Sequence, residues 1–249
     1  MKNLTYFISD LHLGAGYIAD GRSHERTIAS WLREITPSAK ALYLLGDVMD
    51  YWYEYRTVVP RGYVRFFGAL AELADSGCEI VWLKGNHDVW IFDYLPSEIG
   101  LTVADGVVDR MIDGKRFVME HGDGVGEPRA LYRLMRGLFR NRFAQWLYAG
   151  IHPRWTVGFA LNLSKRSRLS GTPAPDSDTL PESDPLVRFA SDYQRDNGHV
   201  DYFIFGHRHQ LIDMNLGQGT KLIVLGEAFS RMTYGVWDGN TFSLKSIKD

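Results

Sequence analysis

The chain has 249 residues, 45% apolar and 23% charged, with a net charge of −2 and a single cysteine. That length holds one α/β domain with room for an insert, and the composition excludes a disordered chain and an intrachain disulfide scaffold. After Met1-Lys2-Asn3 the first apolar run covers only Leu4 to Ile8, too short for a signal peptide, and no run reaches the roughly 18 apolar residues of a membrane span. The expectation is a cytoplasmic protein able to rest on a membrane surface.

Leu4 to Ile8 reads as a strand that stops at the polar turn Ser9-Asp10-Leu11-His12-Leu13-Gly14. Ile28, Trp31, Leu32 and Ile35 have helical spacing within Ser23 to Ile35, and Pro37 stops that helix. Ala41 to Leu45 is an uncharged run that ends on Gly46-Asp47, a buried strand leading into a carboxylate. Arg61 to Ser76 is helical by pattern, with Gly77 as its C-terminal cap. Glu79 to Leu83 is a third strand, ending at Lys84-Gly85-Asn86-His87-Asp88. Strands alternating with helices predict an α/β sheet. Val107 to Met111 and Arg116 to Glu120, joined at Asp113-Gly114, read as a hairpin, and its second arm ends at His121-Gly122-Asp123-Gly124.

An insert over residues 124–182 follows, so the core comprises residues 1–123 and 183–249. Ser183-Asp184-Pro185 opens a helix that ends at Gly198. Tyr202 to Phe205 is a strand stopping at Gly206-His207-Arg208-His209, and Lys221–Leu225, Met232–Trp237 and Phe242–Ile247 read as antiparallel strands.

The polar residues that follow these strands are Asp10 and His12, Asp47, Asn86, His121, and His207 and His209. Residues at the carboxyl ends of neighbouring strands converge on one side of an α/β sheet. A carboxylate at the end of a buried strand is unfavourable unless a cation offsets it, so Asp47 reads as a bridge between two metal ions. One buried Asp or His is ordinarily a structural group, but five of the eight histidines fall in these blocks. His24, His152 and His199 match none and read as ordinary surface or structural residues. Carboxylate, amide oxygen and imidazole without thiolate suit manganese, iron or zinc, and two such ions form a clamp for displacement at phosphorus. Asp88 and Asp123, beside these residues, read as groups that orient them.

The insert is basic. Between Pro128 and Arg168 there are nine Lys and Arg residues and no Asp or Glu, giving +9 and leaving −11 for the remainder. Leu131, Leu134, Met135, Leu138, Phe139, Phe143, Trp146 and Leu147 interleave at a three-four period, and a second helix is expected from Trp155 to about Lys165. A basic amphipathic pair suits an anionic membrane surface or an amphipathic anionic substrate. An ordinary docked helix pair with a solvated basic face is the alternative. The apolar density argues against a nucleic-acid groove.

Asp-x-His, Gly-Asp, Gly-Asn-His-Asp, a later His and Gly-His-x-His, in that order from residue 10 to residue 209, resemble the calcineurin-like metallophosphoesterase superfamily. The resemblance implies two mixed β-sheets flanked by helices, with a helical insert capping the site. It implies one ion on Asp10, His12, Asp47 and His209 and a second on Asp47, Asn86, His121 and His207. It also implies two divalent ions, manganese first, and puts His87, with Asn86, at the scissile group as electrostatic stabiliser or proton donor. Within the superfamily, Leu42 to Asp47 followed by Trp52, then Glu120-His121-Gly122-Asp123, then a helical insert carrying Ser164-Lys165, are similar to the UDP-2,3-diacylglucosamine pyrophosphohydrolases of lipid A biosynthesis. That similarity implies hydrolysis of a pyrophosphate to UMP and 2,3-diacylglucosamine 1-phosphate, contact with the inner membrane surface, and substrate contacts at Ser164, Lys165 and Arg168. His87 departs from the pattern, because those enzymes carry Arg at that place. A phosphoesterase acting on a soluble nucleotide or phosphoprotein, a nuclease, and a binding module on an inactive scaffold remain as alternatives.

Overall fold

The computed structural model describes residues 2–125, 130–158 and 179–247. Its first sheet contains β1 (Leu4–Ile8), β2 (Ala39–Leu45), β3 (Glu79–Leu83), β4 (Thr102–Ala104), β10 (Thr233–Trp237) and β11 (Phe242–Ser246), in the order β11-β10-β1-β2-β3-β4. The second contains β5 (Val108–Ile112), β6 (Lys115–Glu120), β7 (Tyr202–Phe205), β8 (Leu211–Gly217) and β9 (Thr220–Leu225), in the order β5-β6-β7-β9-β8. Both sheets are mixed. β1 to β4 run parallel, as do β6, β7 and β9, and β10, β11, β5 and β8 pair antiparallel.

The central strands are apolar on both faces because both faces are covered. Phe7, Tyr43, Leu45, Val81 and Leu83 point inward and meet Phe117, Met119, Ile204, Ile223 and Leu225 of the other sheet. Their neighbours Ile8, Leu42, Leu44 and Trp82 point outward into a second cluster beneath α1 (Gly21–Ile35), α2 (Val64–Asp75) and α3 (Tyr94–Ile99). On the far side α6 (Pro185–Asn197) buries Leu186, Val187 and Ala190 against Phe203, Phe205, Leu222 and Val224. Strands and helices thus form four layers, the two sheets inside. The insert contributes α4 (Ala130–Arg140) and α5 (Arg142–Ala149), and residues 153–158 are helical.

Several element bounds differ from the sequence expectation by a few residues, and α3, β4 and β8 were not anticipated. β2 begins at Ala39, and α2 begins at Val64 because its first turn is held by Glu25 of α1, whose Oε1 accepts from Arg65 N at 2.8 Å. α3 and β4 are short and lack a long period. β8 carries alternating Ile212, Met214 and Leu216 before Gly217-Gln218-Gly219, a strand and turn signal that was available. α3 is anchored by buried Glu54, which accepts from the backbone N–H groups of Phe92, Asp93, Tyr94 and Leu95.

Candidate metal centre

The parallel strands of both sheets end on the same side of the molecule. Asp10 and His12 follow β1, Asp47 follows β2, Asn86 and His87 follow β3, His121 follows β6, and His207 and His209 follow β7. Five of these residues have left-handed backbone: φ is 55° at Asp10, 45° at His12, 50° at Asp47, 65° at His207 and 56° at His209. Non-glycine residues adopt that region only where surrounding structure holds them, and such strain collects at functional sites. Glycines let the strand ends come together. A Cβ on Gly85 would lie 2.1 Å from Asp47 Oδ1, and one on Gly206 would lie 2.7 Å from Asp10 Oδ2.

Each carboxylate divides its two oxygens between backbone and centre. Asp10 Oδ2 accepts from His207 N at 2.8 Å and from the Ser9 hydroxyl, leaving Oδ1 at 3.7 Å from His12 Nε2 and 3.6 Å from His209 Nε2. Asp47 Oδ1 accepts from His87 N at 2.9 Å. Its Oδ2 lies 3.3 Å from His121 Nε2 and 3.9 Å from both His12 Nε2 and His87 Nε2. Asp47 Oδ2 therefore faces both halves of the cluster. Three sets of side-chain atoms lie within 4.8 Å of one another: Asp10, His12 and His209; His12, Asp47 and His87; and Asp47, His121 and His207.

The histidines are oriented from behind. His121 Nδ1 lies 2.7 Å from the Leu45 carbonyl and donates to it, so Nε2 faces Asp47. His87 Nδ1 donates to the Asp50 carbonyl at 2.9 Å, and the Asp50 side chain stands 3.3 Å from His12 Nδ1. His209 Nδ1 is 3.6 Å from buried Glu227. Asp88 accepts from Gly85 N, Val48 N and Trp82 Nε1 at 2.7, 2.9 and 3.1 Å, clamping the β2 and β3 loops together. Asp50 and Glu227 were not singled out from sequence. Gly226-Glu227 repeats the strand–Gly–carboxylate pattern of Gly46-Asp47 and was a usable signal.

The electrostatics follow from this crowding. Burial acts to raise Asp10, but the neighbouring His12 imidazole and the His121 and His209 charges outweigh it and hold its carboxyl at about 2. Burial also opposes ionisation of Asp47, and His121 and His87 keep it well below the ordinary carboxylate range. His12 is pushed up to about 9, because Asp10, Asp50 and Asp47 overcome its burial. Burial, together with the charge of His121, lowers His207 to about 4, leaving a neutral imidazole. Burial and the charge of Asp47 raise Asp88.

A divalent ion fits this arrangement on the atoms themselves. Asp10 Oδ1, Asn86 Oδ1 and His121 Nε2 are buried without a hydrogen-bond partner among the described residues. Opposed oxygens and imidazole nitrogens 3.3–3.9 Å apart are too far for strong hydrogen bonds. They are near enough to share a cation with bonds of about 2 Å. The donor set, oxygen and nitrogen without sulfur, suits a first-row divalent ion.

The insert meets the site along the β2 and β3 loops. Tyr53 Oη donates to the Gln145 carbonyl at 2.7 Å, Trp90 Nε1 to the Phe139 carbonyl at 2.8 Å, and the Tyr51 and Tyr148 hydroxyls meet at 3.1 Å. Arg136 pairs with Asp123 at 3.0 Å and reaches Glu120, and Arg140 pairs with Asp105 at 3.1 Å. These two arginines pair with carboxylates of the core, whereas the sequence-based expectation set the basic face against an anionic membrane surface or an amphipathic anionic substrate. The apolar side is the one turned to solvent: Leu134, Leu138, Phe143, Trp146, Leu147 and Trp155 are all more than half exposed. No helix among the described residues is long and apolar enough to cross a membrane. Ser164, Lys165 and Arg168 lie outside the described residues.

Residues 4–211 match the family model of calcineurin-like phosphoesterases. The chain is 44% identical to a protein of Porphyromonas gingivalis named UDP-2,3-diacylglucosamine hydrolase, over 100% of this chain and 99% of that protein. It is 29% identical to a protein of the same name from Ralstonia nicotianae, over 82% of this chain and 76% of that one. Among solved structures it is similar to a dimetal phosphatase from Danio rerio, at 14% identity and a TM-score of 0.47, covering 97% of this chain and 95% of that one.

Proposed function

The chain belongs to the calcineurin-like phosphoesterase family, and from that premise we propose that it hydrolyses the pyrophosphate of UDP-2,3-diacylglucosamine to UMP and 2,3-diacylglucosamine 1-phosphate. The observation that carries the substrate is the 44% identity, over the whole chain, with a protein named for that activity.

In this reading Asp10, His12, Asp47 and His209 would hold one divalent ion, and Asp47, Asn86, His121 and His207 would hold the other. When bound, the two ions, manganese in first place, neutralise phosphoryl oxygens and let water ionise near neutral pH. Water adds at phosphorus, the bridging P–O bond breaks, and the net proton leaves to solvent. His87 is the substrate-facing histidine. Its side chain is 22% exposed while those of His12 and His121 are at most 3% exposed. Its Nδ1 is committed to the Asp50 carbonyl, so Nε2 is the atom aimed at a phosphoryl oxygen. Asp50 and Glu227 keep the His12 and His209 rings turned toward the centre.

The insert, residues 124–182, acts as a cap over the site, and its outward apolar face rests on the membrane surface that presents the acyl chains. Support comes from exposed Phe143 and Trp146 beside Arg142, the mixture by which interfacial helices bind anionic lipid. Ser164, Lys165 and Arg168 remain proposed substrate contacts. A second reading, a phosphoesterase on a soluble substrate, is favoured by one feature: position 87 is His, where the sequence resemblance to the pyrophosphohydrolases implies Arg.

Phosphorus NMR decides between them. Incubated with the manganese-loaded protein, UDP-2,3-diacylglucosamine should lose its pyrophosphate resonances as two phosphomonoester signals appear, one of them UMP. Turnover of p-nitrophenyl phosphate with no UMP released would reject the lipid substrate and leave the second reading.

A further inference from the structure

The insert folds back onto the segment through which the chain leaves the core. β6 ends on Glu120, and His121-Gly122-Asp123-Gly124 leads into the insert. His121 therefore has a carboxylate on either side of it in sequence, and both Glu120 and Asp123 are buried. A buried carboxylate is unfavourable without a cation close by. Arg136 of α4 approaches both: its Nε lies 3.0 Å from Asp123 Oδ2 and its Nη2 lies 3.7 Å from Glu120 Oε1. The other Glu120 oxygen, Oε2, accepts from Gly122 N, so the same carboxylate grips the backbone just past His121.

The guanidinium reaches this place by crossing Gly124, where an added Cβ would lie 2.6 Å from Arg136 Nη2. Arg140, about one turn further along α4, stands 3.9 Å from Asp123 and directs its Nε to Asp105. From the core side, His121 Nδ1 donates to the Leu45 carbonyl at 2.7 Å, and Gly206 N donates to the His121 carbonyl at 2.9 Å. His121 is thus held between the core and α4. A rigid planar fork that spans two carboxylates limits how far the residue between them can shift. A ligand nitrogen must sit within a few tenths of an ångström of its place to bond a metal at about 2 Å.

We propose that Arg136 is a positioning residue: by holding Glu120 and Asp123 it sets His121 Nε2 for its divalent ion, so the seating of the insert governs the affinity of the Asp47, Asn86, His121 and His207 site. This rests on the two-ion reading given above and is independent of which phosphate ester is the substrate.

The test is a calorimetric titration of the full chain with manganese after chelation, in which wild type should take up two ions. Arg136→Ala should weaken one binding step about tenfold or more and leave the other within about twofold. Gly124→Ala keeps every charge and displaces only the tip of a flexible side chain. It should weaken the same step to a smaller degree, and it keeps the idea testable if Arg136→Ala does not fold. Both steps unchanged in Arg136→Ala would overturn the role of Arg136 and leave the two-ion reading standing. Equal weakening of both steps in the two variants would mark a general loosening of the fold and would also overturn it. A wild type that takes up a single ion would overturn the two-ion reading itself, and the positioning role with it.

Discussion

Asp47 is where local sequence and long-range geometry meet. Its Oδ1 is held by His87 N, and its Oδ2 faces histidines from three different strand ends. Asp47→Asn preserves shape and the hydrogen-bond acceptor while removing the charge. Its expected effect is a fall in metal-dependent kcat/KM of about a hundredfold or more. Wild type should gain thermal stability on adding manganese, because an ion that binds only the folded state stabilises it. The variant should show little of that gain. Wild-type turnover and an undiminished thermal shift in Asp47→Asn would sink the bridging assignment. At this scale the sequence was informative. Six of the seven residues noted at strand ends, all but Asn86, fall in the clusters of side-chain atoms within 4.8 Å of one another, and the close approach of Gly85 to Asp47 and of Gly206 to Asp10 shows why the loops carry flanking glycines. Asp50 was overlooked because its contribution is a backbone carbonyl and a side chain acting on His12 and His87, which no spacing rule reveals.

Elements are joined by charged side chains that reach across layers. Arg116 of β6 pairs with Asp109 of β5 at 2.7 Å and donates to the Asn197 carbonyl at the end of α6, and Tyr193 of α6 donates to the same Asp109 at 2.9 Å. The Arg116 hydrogen bond depresses the Asp109 carboxyl, with a further contribution from Tyr193. A carboxyl lowered in the folded state stabilises the fold above its unfolded pKa of about 3.9, and loses that contribution as pH falls through the folded value. Asp109→Asn should therefore be less stable than wild type at pH 7, by about 1 kcal/mol or less because the pair is partly exposed. The difference should shrink below about pH 4. Urea unfolding at pH 7 and pH 3 measures it, and an equal difference at both would exclude the ionic contribution. Most elements were legible from periodicity. α3 was not, since its stability comes from Glu54, 38 to 41 residues away in sequence from the N–H groups that it accepts.

For the whole molecule the decisive arrangement is the orientation of the insert. Its aromatic anchors and two of its arginines face the core, and its apolar side faces out. Phe143 and Trp146 are 66% and 68% exposed, so replacing both with Ser leaves the packed core untouched. Binding to vesicles containing anionic lipid should weaken at least about tenfold in Phe143→Ser/Trp146→Ser, with little change in melting temperature. Vesicle co-sedimentation that is equal for both proteins would remove the membrane-facing role of α4 and α5.

What the sequence determined by itself was local. Apolar runs ending on Gly and then Asp, Asn or His marked the strands and the residues at their ends, because a doubly covered strand must be apolar until it leaves the core. The helical period of the insert was equally visible, but its facing was not. Period identifies two sides of a helix and does not say which side is inward. Only the tertiary structure brought Asp105, Glu120 and Asp123 to the rim beside α4, where they pair with Arg136 and Arg140 and draw these two arginines inward while Leu134 and Leu138 stay exposed. The same holds for Asp47 Oδ2 among its histidines and for Glu54 beneath α3. Each depends on distances between chain segments that no local pattern encodes.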